Sequence, residues 1–427
     1  MIKKLSLILL NLCCALSLCA QIQGSNIVVM VQPDHADWTY QVGETAKYSV
    51  SVLQSGVPLK QAIIDYEYGP VLYTGNKKTA TLKDGTMKWE GKLNAPGFYT
   101  LKVTAKVNGK TYEGRSTVGF SPDKIVPAAQ CPSDFDAFWS KALEEARKQD
   151  LAPTRRLLPE RSTKDANVYE VSYINESYDS RMYGILSVPT TPGKYPALLR
   201  VPGAGVRPYA GDTYTAPGKA IVLEIGIHGI PVTMEQGIYD NLQHGALNGY
   251  WETNLDDPYR NYYKRVVTGA VRAVDFIATL PEWDHNTLGV TGSSQGGFLS
   301  LATAALDKRV TFIGVVHDAM CDYESELKGV AGGWPHYFYK KDKVDAKKIE
   351  GARYYDGVNF ARRINVPAWF SFGYNDEVVP PTSSYGLYNI YPGPKTLSVY
   401  PMTAHFWYQE QWDEWLAWTR QQLGTAE

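Results

Sequence analysis

Past its first twenty residues this 427-residue chain has little cysteine, little net charge and no long apolar run. Five cysteines occur, and Cys13, Cys14 and Cys19 fall in the first twenty positions, leaving Cys131 and Cys321. Two cysteines so far apart give no spacing argument for a disulfide and form no Cys-x-x-Cys pair, so buried free thiols are expected. No two of the seven histidines stand at metal-ligand spacing, which argues against a metal mechanism; no cofactor motif is read either. Basic residues number 43 and acidic residues 44, a net charge of −1. So balanced a surface offers no handle for nucleic acid or an anionic membrane. No stretch beyond the N-terminus is apolar and long enough to span a bilayer.

What the first twenty residues do hold is the pattern of a secretory signal. Lys3-Lys4 precede the apolar run from Leu5 to Leu10, and Leu18-Cys19-Ala20 ends the segment before Gln21. The expectation is a secreted or periplasmic protein. Lipid attachment at Cys19 is the alternative, weakened by the bulky Leu18 where a lipoprotein signal prefers a small residue.

The remainder divides by its periodicity. Residues 21–121 alternate in twos: Ala46, Tyr48, Val50 and Val52 against Lys47, Ser49 and Ser51, then Tyr99, Leu101, Val103 and Ala105 against polar partners. Asn108-Gly109 then makes a two-residue hairpin turn. Short alternating strands between Gly, Pro and Asn turns predict an immunoglobulin-like sandwich. Its tyrosines suggest carbohydrate binding, but aromatics are enriched in strands anyway, and a spacer or packing role is the plainer reading. Residues 122–427 turn to strand–helix alternation. Buried strands are expected at Ala197–Val201, Ala220–Glu224, Leu288–Thr291, Phe312–Val316, Ala368–Phe372 and Leu397–Tyr400, with a helix over Val266–Leu280 stopped by Pro281. Nearly continuous apolar strands imply a sheet covered on both faces, hence a doubly wound α/β core.

The chemistry concentrates at Gly292-Ser293-Ser294-Gln295-Gly296-Gly297, directly after the apolar Leu288–Thr291. The G-x-S-x-G form sets a serine on a tight strand-to-helix turn, where flanking glycines let the turn close. Phe298–Leu306 then reads as a buried helix whose N-terminus aims backbone N–H groups at a developing oxyanion. Bare matches to this pattern are often ordinary turns, but the strand before and helix after it support a nucleophile of the α/β-hydrolase type. A serine needs a base and an orienting acid, which in this fold follow in the order Ser, Asp or Glu, His. Asp376 lies on the loop after Ala368–Phe372, and His405 just past Leu397–Tyr400. Both stand at carboxyl ends of strands, where catalytic groups of open parallel sheets sit. Among rivals, His35 precedes the pattern, His285 enters the nucleophile strand from the wrong end, and His317 precedes the acid. His228, His244 and His336 read as pocket-wall or surface residues, and Glu377 neighbours the acid but points elsewhere.

From about Cys131 to Leu423 these residues resemble the acetyl xylan esterase and cephalosporin C deacetylase family, carbohydrate esterase family 7 of the α/β-hydrolases. The matching segments are Pro132–Trp139, Ala270–Asp275 with Leu280-Pro281-Glu282, Gly289–Gly297, Cys321-Asp322-Tyr323, Tyr355–Ala361 and Asp376–Ser383. The resemblance implies a Ser294/Asp376/His405 triad, in agreement with the reading from chain order. It further implies an oxyanion hole from the backbone N–H groups of Gln295 and Ala204. Three departures stand out. The family's Arg-Gly-Gln-Gly signature is absent near Glu224–Pro231, Ala204 replaces the family's tyrosine, and the His-Glu pair is His405-Phe406. A backbone donor survives a side-chain change, so the chemistry is expected to hold. The implied partner is an acetylated oligosaccharide or polysaccharide. The family's hexameric ring leaves a homo-oligomer open, which the added β-domain could block. Trp251, Tyr250, Tyr259, Tyr262, Trp334, Tyr337 and Tyr339 are candidates to stack on sugar rings, or else ordinary core aromatics.

The expected activity is therefore serine-dependent removal of O-acetyl groups. One alternative is a secreted prolyl-oligopeptidase-type peptidase, for which roughly a hundred N-terminal residues are too few to build the usual propeller. The other is a glycan-binding protein on a retired hydrolase scaffold, against which the intact triad argues.

Overall fold

A computed structural model describes residues 25–426, so the signal-like segment 1–20 lies outside the described residues. Period-two alternation builds the first unit from β1 (Ile27–Pro33), β2 (Thr39–Tyr40), β3 (Ala46–Gln54), β4 (Val57–Pro58), β5 (Ala62–Pro70), β6 (Asn76–Leu82), β7 (Thr86–Gly91), β8 (Gly97–Val107) and β9 (Lys110–Phe120). One sheet joins β1, β3 and β4 with β7 paired to β3; the other runs β2-β9-β8-β5-β6. The two sheets share one apolar core, the arrangement of a β-sandwich. Tyr48, Val50 and Val52 of β3 meet Leu101 and Val103 of β8 in one core cluster, each at most 1% exposed. Asn108 and Gly109 carry φ of 50° and 76°, the left-handed pair that a tight β8–β9 hairpin requires.

The second unit holds a nine-stranded sheet: β10 (Thr154–Leu157), β11 (Ala166–Ile174), β12 (Arg181–Pro189), β13 (Tyr195–Arg200), β14 (Ile221–Gly226), β15 (Trp283–Ser293), β16 (Phe312–Val316), β17 (Ala368–Phe372) and β18 (Lys395–Val399). Their order is β10-β11-β12-β14-β13-β15-β16-β17-β18. The pairs up to β12–β14 are antiparallel and the remainder parallel. Both faces are covered. In β13, Ala197 and Leu199 enter one core cluster while Leu198 enters another with Phe312 and Leu423. β16 and β17 are buried throughout, as a parallel interior demands. This is the α/β-hydrolase arrangement.

Boundaries differ from the sequence expectation where capping decides them. The helix expected over Val266–Leu280 spans Tyr262–Ala278, because Asn261 caps it by accepting from Tyr263 N–H. The strand expected at Ala220–Glu224 is Ile221–Gly226. Both cysteines are free, but Cys131 is exposed rather than buried, since the chain there runs over the surface before the helix Phe135–Arg147. Among the described residues no helix is long and apolar enough to cross a membrane.

The two units share a small core of their own. Val71, Phe98 and Ile125 pack with Ala331, Phe372, Tyr374 and Tyr385. The Phe98 and Tyr374 rings meet edge-on at 4.9 Å, and Tyr339 OH donates to the Leu72 carbonyl at 2.5 Å. Phe98→Ala should therefore cost about 3–5 kcal/mol. Calorimetry of the unaltered protein should show one cooperative transition; two well-separated ones would contradict the shared core.

Candidate active site

β15 feeds Ser294 into the turn ahead of the helix Gln295–Leu306 with φ 61° and ψ −125°, a conformation few residues other than glycine adopt. Such backbone strain costs on the order of 1–3 kcal/mol and persists only where the surroundings enforce it. Here Ser294 N–H donates to Val316 O at 2.8 Å, and its carbonyl accepts from Gly297 at 2.8 Å and Ala319 at 3.3 Å. The turn is also pressed against the end of β13. A Cβ on either Gly292 or Gly296 would lie 2.5 Å from Val201 O, which is why both positions must be glycine.

The acid and the imidazole meet across two loops. His405 Nδ1 lies 2.7 Å from Asp376 Oδ2, and the carboxylate is fully buried. Its Oδ1 accepts from Val378 N–H at 2.9 Å and Val379 N–H at 2.8 Å. With Nδ1–H committed to the carboxylate, the neutral imidazole keeps a lone pair on Nε2. No hydrogen bond joins Ser294 Oγ to His405 in this structure; such contacts often tighten only with substrate in place.

Gln295 ties the loop bearing Ala204, the second expected oxyanion donor, to the elbow. Its buried side-chain carbonyl accepts from Tyr250 OH and Tyr263 OH, both at 2.8 Å, and its Nε2 donates to Pro202 O at 3.2 Å. Tyr250 OH also accepts from Gly205 N–H at 3.3 Å, and His228 Nε2 donates to Gly205 O at 3.0 Å. A Cβ built on Gly203 would stand 3.8 Å from Ser294 Cβ, so the loop bearing Ala204 lies against the serine. The Gln295 and Ala204 N–H groups make no hydrogen bond among the described residues. Tyr250, one of the aromatics considered for sugar stacking, is instead a buried prop of this loop.

The other sequence candidates separate cleanly. Ser293 Oγ lies 3.1 Å from His317 Nδ1, the serine–histidine contact present at this turn. His317 is a poor base: burial pulls it down to about 4, and its buried Nε2 has no partner. Its ring lies 5.0 Å from that of His405, which packs the two histidines together at the rim. His336 pairs with Glu326, His244 with a helix carbonyl, and His285 packs at a tilt against Trp283. Tyr337 OH is spent on Trp251 O, Tyr339 OH on Leu72 O and Tyr262 OH on His228, while Tyr259 packs on Phe138. Trp251 and Trp334 pack on each other, rings 5.4 Å apart.

Two groups of residues near the site are not marked by any local sequence pattern. A cavity of about 400 Å³ beside Gly203 and Ser293 is walled by Trp407, Trp412 and Trp415, from a tryptophan-rich run directly after His405. The second group comes from the β-domain. Thr117 N–H donates to Asn375 Oδ1 at 2.9 Å, and Arg115 pairs with Glu377, so β9 grips the loop on both sides of Asp376. Asn375 also reaches the histidine loop, donating to Thr403 O from its backbone at 3.1 Å and to Met402 O from its side chain at 3.3 Å.

Three comparisons bear on this site. The model of the acetyl xylan esterase (AXE1) family matches residues 123–422. An acetyl esterase, Axe7A, from Xylanibacter ruminicola is 37% identical over 398 residues, covering 92% of this chain and 90% of that protein. Among solved structures, an acetyl xylan esterase from Thermoanaerobacterium sp. JW/SL YS485 is 25% identical with a TM-score of 0.61, over 72% of this chain and 98% of its own. One from Paenibacillus sp. R4, at 24% identity, has the same fold with a TM-score of 0.61 over 70% of this chain and 98% of its own.

Burial also holds His228 neutral, at about 4, whereas an unfolded histidine titrates near 6.5. As pH falls, the unfolded chain takes up these protons first. The contribution of His228 and His317 is therefore full above about 6.5 and is lost on descending to about 4, roughly 3 kcal/mol for each. Asp318 and Asp356, pushed up by burial to about 6 and 7, contribute the opposite slope, so a difference is the clean test. His317→Gln should lose less stability than the unaltered protein between pH 7.5 and 4.5 in denaturant titrations.

Proposed function

The chain belongs to the acetyl xylan esterase family and is a carboxylic-ester hydrolase; from that premise we propose that it is a secreted enzyme that removes O-acetyl groups from oligosaccharides or polysaccharides through Ser294, His405 and Asp376. Two observations support the mechanism: the Asp376–His405 contact at 2.7 Å, and a serine held at φ 61° on the strand-to-helix turn.

In this mechanism His405 Nε2 takes the Ser294 hydroxyl proton as Oγ attacks the acetyl carbonyl. Asp376 holds the tautomer and balances the imidazolium without itself taking the proton. The Gln295 and Ala204 N–H groups receive the charge that develops on the carbonyl oxygen, each worth on the order of 3 kcal/mol in the transition state. His405 then returns its proton to the departing sugar oxygen. Water repeats the attack on the acetyl-enzyme, releasing acetate and restoring Ser294. The Tyr250, Tyr263 and Gln295 cluster keeps the two donors aimed together, since a displacement of about 1 Å can cost about 100-fold in rate. Secretion rests on residues 1–20: Lys3-Lys4, the apolar run and the small residue before Gln21.

Ser294→Ala should abolish acetate release from p-nitrophenyl acetate and from acetylated xylan fragments while leaving the thermal midpoint in place. Asp376→Asn should lower kcat about 10⁴-fold. A Ser294→Ala variant that kept most of its turnover would place the nucleophile elsewhere. Acetate release across acetylated xylan, pectin and mannan fragments identifies the preferred glycan.

A further inference from the structure

The outward face of β1 is unusual. Ile27, Val29 and Val31 point into the sandwich core, so Val28, Met30 and Gln32 point away from it. A sandwich strand ordinarily turns polar residues outward. Here Val28 is 44% exposed, and it faces a cleft of about 820 Å³ whose opposite wall carries Val378 and Met402, 38% and 64% exposed. Gln32, His35 and Arg115 line the same cleft, and so do Asp376 and His405. The walls are fixed to each other by the Thr117–Asn375 hydrogen bond, the Arg115–Glu377 pair and the Phe98–Tyr374 packing, so the cleft is preformed.

We propose that this cleft is a saccharide subsite for the leaving side of the ester, so that the β-domain sets a preference for longer glycan chains. The proposal rests on the esterase reading above. The general acid that protonates the leaving oxygen is His405, so the sugar must lie on the histidine's side while the carbonyl oxygen faces Gln295 and Ala204. The cleft opens on that side. Its two apolar strips suit the flat C–H faces of pyranose rings, and Gln32, His35 and Arg115 supply hydrogen bonds to ring hydroxyls. The β-domain wall is additional to the shared fold: the solved relatives align over 98% of their own length yet match only 70% and 72% of this chain.

The test compares acetylated xylotetraose with acetylated xylose in the full-length protein, for the unaltered chain, for a Val28→Gln/Met30→Gln double variant and for Met30→Trp, which fills the cleft. The ratio of kcat/KM for the long over the short ester should fall at least tenfold in both variants. A ratio that stays constant overturns the subsite. So does a change confined to p-nitrophenyl butyrate against p-nitrophenyl acetate, which would make the cleft an acyl pocket. Turnover of p-nitrophenyl acetate by the unaltered enzyme, and its loss in Ser294→Ala, report on the esterase reading separately.

Discussion

The backbone of residue 294, held at φ 61° and ψ −125°, is the constraint on which the rest of the site depends. A serine adopts that conformation only when strand, helix and neighbouring loop leave no alternative. Three features enforce it: the Val316–Ser294 hydrogen bond, the helix start at Gln295, and the approach of Val201 O to within 2.5 Å of where side chains at 292 and 296 would begin. The same approach brings the Gly203–Gly205 loop against the serine. One packing event thus sets Ser294, Gln295 and the Gly203–Gly205 loop against one another.

The acid–histidine half of the site is built differently, from loops that have little structure of their own. Asp376 is oriented by two N–H groups of its own loop, and His405 is oriented by Asp376. What holds the loops is Asn375, which bonds at once to β9 of the sandwich and to the histidine loop. The β-domain is therefore attached at the loops that carry Asp376 and His405. A module with a spacer role alone would have no reason to grip the residues on both sides of the acid. A shared apolar core around Phe98 makes that grip rigid.

The sequence was most legible where chemistry is local. G-x-S-x-G between an apolar strand and a helix foretold the tight turn at Ser294, and chain order with strand ends singled out Asp376 and His405, which do meet. Period-two alternation in β3 and β8 foretold the sandwich, and Asn108-Gly109 its hairpin. Less legible were contacts that depend on tertiary proximity. Arg115 and Thr117 lie some 260 residues before the loop they hold, a separation at which no periodicity survives. The sequence reads Tyr250 as a stacking aromatic and His228 as a wall histidine, and gives no sign of Tyr263, because hydrogen-bonding partners 23 to 45 residues away leave no pattern. The tryptophans after His405 were visible in the sequence, but nothing local says that they line a cavity rather than a core. Cys131 is exposed against expectation because its position on a surface-running segment outweighs the burial usual for its residue type.

Ser293 and Ser294 stand side by side, the first 3.1 Å from His317 Nδ1, and the central claim is that only the second is the nucleophile. Reaction with an organophosphate followed by peptide mass mapping tests this most directly. A single adduct on Ser294 is the result the account predicts. An adduct on Ser293, or none on a folded and otherwise intact protein, would contradict it.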